Sequence, residues 1–294
     1  MKLPVSKCLE IYSSLSKTIF EHKQGLLQII TTSSRYDYQI LEDAIKVEVR
    51  KWSGDPDSLL LNPSIDSTKA FVTATLYSDA SRDAPRILRT YRPGKNPDRD
   101  SNVKIWEAAR ATSAAPSYFQ AITIKSQDEE EKLVDGGLGC NNPVYQVLEE
   151  ARDHFPHREI ACLVSIGTGI PLVRAAGEES PGYGAIWNLM MNIPVIKGGL
   201  DRWKQAQVLE RVASTCEYTH QRMCKDARRD PELQGRYYRF NVAQGAQGIS
   251  LEMWDRLDEV YTHTQNYIQT HDVAGRRVTH ILDEVVNILY PGQM

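Results

Sequence analysis

Read from its first residues, the alternation of apolar and polar positions opens on a helix. Val5, Cys8, Leu9, Tyr12, Leu15 and Ile19 recur at helical spacing, with Pro4 near the start, where a missing N–H costs little. This predicts an amphipathic, core-facing helix. A second helical pattern runs from about Ile40 to Trp52, and the polar, proline-bearing stretch from Ser53 to Thr68 reads as a loop. Two strand candidates follow, Lys69–Tyr77 and Arg86–Tyr91. Ser101–Ser113 reads as a helix capped by Ser101 or Asn102, and Ala114-Ala115-Pro116 should end it, because proline disfavours helix at the residue before it. Phe119–Ile124 reads as a strand. The acidic run Gln127–Lys132 reads as a solvated hairpin turn delivering the chain into Lys132-Leu133-Val134 and then Asp135-Gly136-Gly137.

From Pro143, suited to a first helical position, Val144, Val147, Leu148, Ala151 and Phe155 give a helix. A β run, Glu159–Ile166, follows and ends in Gly167-Thr168-Gly169. Strand, turn, helix and strand make a Rossmann-like α/β rhythm. Beyond it come a Gly/Pro-rich loop, the apolar stretch Ala185–Ile196, and helical patterns, the last placing Val278, Ile281, Leu282, Val285 and Leu289 on one face. Neither an internal repeat nor a separating linker is visible, so residues 1–294 read as one domain. The sheets of α/β domains usually begin with a buried strand, so an opening on a core-facing helix is consistent with a missing upstream segment.

Composition narrows the classes. The chain has 294 residues, 41% of them hydrophobic, enough for one large core. Its 35 basic and 38 acidic residues are interspersed and give a net charge of −3, so no field steers it onto nucleic acid. Cys8, Cys140, Cys162, Cys216 and Cys224 are odd in number and scattered, which fits free thiols in a reducing, cytoplasmic setting. No signal-peptide run and no continuous membrane span is present, so any membrane contact would be peripheral. Ala185–Ile196, with Trp187, Met190 and Met191 on its apolar face, could rest at a lipid interface; buried core or an oligomer contact is the alternative.

The chemistry concentrates at Leu133-Val134-Asp135-Gly136-Gly137-Leu138-Gly139-Cys140-Asn141-Asn142-Pro143. An aspartate at a strand's end, followed by glycines that let the backbone turn tightly, sets a carboxylate at the carboxyl edge of a sheet. Taken alone, an Asp-Gly pair also reads as an ordinary turn. The wider stretch resembles the catalytic-aspartate loop of patatin-like phospholipases, which carry Asp-Gly-Gly or Asp-Gly-Ala followed by an Asn-Pro helix start. Upstream, Ala108–Phe119 resembles the family's Ala-Thr-Ser-Ala-Ala-Pro segment, and its small residues also suit a helix lying close to a sheet. Downstream, Val164-Ser165-Ile166-Gly167-Thr168-Gly169 is similar to the family's following strand. Val5–Tyr12 resembles the helix that follows the nucleophile in fungal-type members, so the resemblance covers about residues 5–169, with 170–294 as a C-terminal helical and loop part.

The resemblance implies a three-layer α/β/α domain around a mixed, mostly parallel sheet. It also implies a serine acyl hydrolase acting on lipid esters without cofactor or metal. In that chemistry a serine on a Gly-x-Ser-x-Gly elbow attacks the ester carbonyl, Asp135 is the general base and proton acceptor, and backbone N–H groups of a glycine-rich loop hold the oxyanion. Asp135, Gly136 and Gly137 are the matching positions. No serine here sits in the elbow pattern: Ser165 follows Leu163, Ser250 precedes Glu252, and Ser180 follows Glu178, each at the place of a required glycine. Ahead of Asp135 the glycines are the isolated Gly25, Gly54 and Gly94. The N-terminal strand, oxyanion loop and elbow are therefore expected upstream of residue 1, and the chain as it stands is expected to be inactive. The alternative is a non-catalytic lipid-binding or interaction module; a third is that another polypeptide supplies the missing parts.

Other motifs read as decoys. Gly167-Thr168-Gly169 has Leu172 where a dinucleotide turn needs its third glycine. Cys216, His220 and Cys224 could share a helix face, but two turns span about 12 Å, too far for one ion. His154 and His157 flank Pro156 with no third ligand nearby, so no metal site is expected.

Overall fold

The computed structural model describes residues 3–25, 27, 29, 32, 34–62, 64, 68–77, 85–94, 98–126, 129–169, 216–242, 249–272 and 275–291. They fall into two compact units, one drawn from residues up to 141, the other from 142–169 and 216–291. The apolar stretch at 185–196 lies outside the described residues.

In the first unit, helix α1 is Val5–Phe20 and α2 is Tyr38–Ser53. Asp37 caps α2 by accepting the Gln39 N–H at 2.8 Å, and Gly54, at φ 83°, closes it with a 2.9 Å bond to the Arg50 carbonyl. The periodicity of α1 is as predicted, but only its second half meets the core. Ser16 and Ile19 are buried, whereas Val5 is 76% exposed and Leu9 and Tyr12 are exposed with it.

Strands β1 (Phe71–Leu76), β2 (Arg86–Arg89), β3 (Ile122–Ser126) and β4 (Glu129–Asp135) form a sheet in the order β2-β1-β4-β3. Every pairing in it is antiparallel. The mostly parallel sheet expected from the sequence does not extend to these strands. β1–β2 and β3–β4 are joined by connections too short for a parallel crossover. Helix α3 (Ile105–Thr112) lays Ala108 and Ala111 against Ala74, Leu88, Ile122, Ile124 and Leu133 of the sheet. Small side chains there allow the close approach.

Three boundaries shift for identifiable reasons. Residues 101–102 form a turn instead of capping α3, which starts at Ile105, where the Glu107 carboxylate accepts the Lys104 N–H at 2.8 Å. Phe119 stands outside β3, because the Tyr118 and Phe119 N–H groups turn back onto the Ala115 carbonyl. The acidic run is mostly strand, and Glu131 is buried instead of solvated, its carboxylate held by Arg86 and Arg99.

In the second unit, β5 (Leu163–Ile166) and β6 (Tyr237–Phe240) pair in parallel. One face packs on α4 (Val144–His154), whose N-cap is Pro143, through Val144 and Leu148, and on the helical residues 216–229 through Met223 and Ala227. Tyr238, with Val164 and Phe240 beside it, meets Ile281 and Val285 of a C-terminal helix, Val278–Leu289, which is α6 after α5 (Leu257–Ile268). Leu289, read as part of that apolar face, is exposed. Helices on both faces of a parallel pair make this unit three-layered. No helix among the described residues is long and apolar enough to cross a membrane.

Candidate active site

Asp135 ends β4, paired with Ala74 of β1, and its own N–H donates to the Ala114 carbonyl at 3.1 Å. The chain then folds into a 3-10 turn, Gly136–Leu138, in which the Gly139 and Cys140 N–H groups return to the Gly136 carbonyl at 3.2 and 2.8 Å. Gly137 donates its N–H to Asp135 Oδ1 at 2.7 Å, fixing the carboxylate's orientation. Asp135 is only partly exposed, and burial pushes its pKa up to about 6 against the opposing pull of the Gly137 N–H. A carboxylate so placed is charged at neutral pH yet basic enough to take a proton, as a general base requires.

The turn is shaped by a close approach that only glycine permits. A Cβ on Gly136 would stand 2.3 Å from the Thr73 carbonyl oxygen and 2.4 Å from its hydroxyl. Because the first clash is with backbone, Gly136→Ala should cost about 3 kcal/mol by forcing β1 and the turn apart. Urea unfolding beside the wild type checks this, and equal midpoints would show that the turn yields freely. Cys140, buried behind the turn, has its thiol pushed up to about 12 by burial, with a Thr73 hydrogen bond opposing, so it is no nucleophile.

The raised Asp135 value has a consequence for folding. The folded protein binds this proton more tightly than the unfolded chain, so the group's favourable contribution is complete below about 3.8 and lost as pH rises through about 6. Asp135→Asn keeps an acceptor for Gly137 and carries no charge. It should be more stable than the wild type by about 1–3 kcal/mol at pH 8, with the gap closing below about pH 4. Denaturant titrations across that range test it; a gap of the same size at every pH would contradict it.

Of the remaining sequence candidates, Ser180 lies outside the described residues, and Ser165, Gly167, Gly169, Cys216, His220 and Cys224 have surroundings of their own. Ser165 is buried, donates to Asn142 Oδ1 at 3.0 Å and accepts from Arg239 Nη1 at 2.9 Å, so its hydroxyl serves packing. A Cβ on Gly167 would meet the side-chain ends of Asn241 and Arg239 within 2.4 Å and displace them, and the Gly169 N–H donates to Asn241 Oδ1 at 2.8 Å. His220 pairs with the Tyr237 hydroxyl at 2.9 Å, and the Cys224 sulfur lies 3.7 Å from the His220 ring. Cys216 instead meets Arg239 Nη2 at 3.1 Å, so the three residues do not converge on one point. Among the described residues no group of three His, Cys, Asp or Glu side chains is placed to hold a metal. Thr73 was not legible as part of the corner, because its role is fixed by the register of β1 against β4.

Comparison with known proteins places the chain in a family. The family model described as patatin-like phospholipase matches residues 2–148, half of the chain, and the match contains Asp135, Gly136 and Gly137. The chain belongs to that family. It is similar to the calcium-independent phospholipase A2-gamma of Oryctolagus cuniculus, at 30% identity over 292 residues, covering 96% of this chain and 33% of that protein. The Homo sapiens protein of the same name is 27% identical over 292 residues, with the same two coverages. Phospholipase A I of Arabidopsis thaliana is 30% identical over 180 residues, covering 60% of this chain and 12% of that protein. The chain thus spans about a third of the length of the A2-gamma relatives.

Proposed function

We propose that this chain is part of a lipid acyl-ester hydrolase of phospholipase or lysophospholipase type, in which Asp135 is the general base of a Ser-Asp dyad. The observation that carries the reading is the Asp135 corner: a carboxylate oriented by the Gly137 N–H and lifted by burial to about 6. The phospholipase names of the relatives support a lipid ester as substrate. In the reaction, Asp135 takes the proton of a serine hydroxyl as the serine oxygen bonds to the ester carbonyl carbon and gives it to the leaving alcohol; it then takes a proton from the water that attacks the acyl-enzyme and returns it to the serine as the fatty acid leaves. None of the serines in these 294 residues sits in a Gly-x-Ser-x-Gly elbow, so the nucleophile and the oxyanion loop lie on sequence outside them, as in a fungal-type patatin-like domain lacking its N-terminal strand. The same absence favours a second reading, a lipid-binding module without catalysis that contacts membranes peripherally.

The test supplies what is absent. A fusion carrying a patatin-type glycine-rich loop and Gly-x-Ser-x-Gly elbow ahead of residue 5 should release fatty acid from phosphatidylcholine vesicles. Its rate should rise as pH passes through about 6, where Asp135 loses its proton. A cooperatively folded fusion that binds vesicles but releases no fatty acid would favour the binding module instead.

A further inference from the structure

Arg110 has an unusual place in the first unit. Its side chain is wholly buried on α3, yet it makes a single hydrogen bond, from Nη2 to the Gln120 carbonyl at 2.5 Å. Nε and Nη1 are buried without a hydrogen-bond partner. The facing charge is Glu42, whose carboxylate stands 3.7 Å from Nε, beyond hydrogen-bond length, and the Tyr38 and Phe119 rings lie 5.7 Å from the guanidinium. Burial lowers the Arg110 pKa and raises that of Glu42. A buried cation with unfilled donors is costly to bury, and the Glu42 ion pair and the two rings offset that cost without filling those donors.

Its one bond, however, lands on the segment that holds the catalytic aspartate. Residues 113–120 leave α3, give the Ala114 carbonyl to the Asp135 N–H, and reach Gln120 just before β3. Between these points the segment carries Ser117 at φ 67°, a left-handed conformation that costs free energy unless the surroundings impose it. The Ser117 and Tyr118 carbonyls accept the Arg35 and Tyr36 N–H groups at 3.0 and 3.1 Å. A strained segment keeps its shape only if both ends are held.

We propose that Arg110 is a positioning residue for Asp135, fixing the Gln120 end of the 113–120 segment so that its Ala114 carbonyl holds the aspartate's backbone in place. The proposal rests on the reading of Asp135 as the base. Without the Gln120 tie the segment loosens, water reaches the Asp135 carboxylate, and the environment that makes it basic is lost.

The experiment is a carboxyl carbon-13 pH titration of aspartate in the 294-residue chain, with Asp135 assigned by its disappearance in Asp135→Asn. In the wild type Asp135 should titrate near 6. In Arg110→Met, which also removes the cation facing Glu42, it should move toward the ordinary aspartate range, roughly 3.9. Arg110→Lys, which restores a donor for Gln120, should return it toward the wild-type value. A folded Arg110→Met with Asp135 unmoved would overturn the proposal, because Arg110 would then be a purely structural residue. If Arg110→Met does not fold, Arg110→Lys carries the test: titration near the wild-type value supports the proposal, and titration in the ordinary range overturns it. Failure of Asp135 as the base would show separately, as a folded fusion without ester hydrolysis.

Discussion

In the nucleophile-bearing fusion, Asp135→Ala should lower the rate of ester hydrolysis by about 10⁴-fold. The size follows from the proposed Ser-Asp site. With no histidine between them, the carboxylate is itself the acceptor for the serine proton, and its loss leaves an un-ionised hydroxyl to attack unaided. Substrate binding should change little, because Asp135 is turned toward the Gly137 N–H within its own loop, so the loss belongs in kcat and not in KM. Asp135→Asn should be nearly as slow while folding more stably than the wild type, which separates chemistry from structural damage. Steady-state kinetics on both variants decides the matter; a loss confined to KM would assign Asp135 to binding.

Arg86→Met should destabilise the first unit by about 3–5 kcal/mol, although position 86 takes no part in the chemistry. Arg86 is 4% exposed and binds two buried carboxylates, Asp100 at 2.5 Å and Glu131 at 2.9 Å, with Arg99 reaching Glu131 from the other side at 2.6 Å. Removing the arginine leaves Asp100 buried without its cation and Glu131 with one partner instead of two. Burying charge is unfavourable in itself, so replacing Arg86, Asp100 and Glu131 together by apolar residues of similar volume should cost far less than the single change. Urea unfolding of the single and triple variants distinguishes a pair that merely compensates its own burial from one that adds net stability. A triple variant as unstable as Arg86→Met would point to packing defects.

What the sequence reveals and conceals here follows the range of the forces involved. Local periodicity placed α1, α2, β1, β2 and the end of β4 within a few residues, because side-chain alternation is set by neighbours along the chain. The glycines after Asp135 were legible as a tight turn, and Gly136 makes an approach to Thr73 that a Cβ would block. The misplacements are tertiary. Glu131 looks solvated beside Glu129 and Glu130 until Arg86, 45 residues earlier in sequence, is found against it. Residues 101–102 look like caps for α3 until Asp100 is engaged by the same arginine and the Val103 N–H closes a turn on its carbonyl. Arg110 was read only as part of a run of small residues, since nothing in one dimension marks it as wholly buried or leads it to Gln120.

The most direct measurement is hydrolysis of a short-chain chromogenic ester by the purified 294-residue chain, run beside Asp135→Ala. The predicted result is no turnover by either protein, with activity appearing only when a Gly-x-Ser-x-Gly elbow is supplied. Turnover by the unaltered chain that Asp135→Ala abolishes would contradict it, because the nucleophile would then lie among these residues.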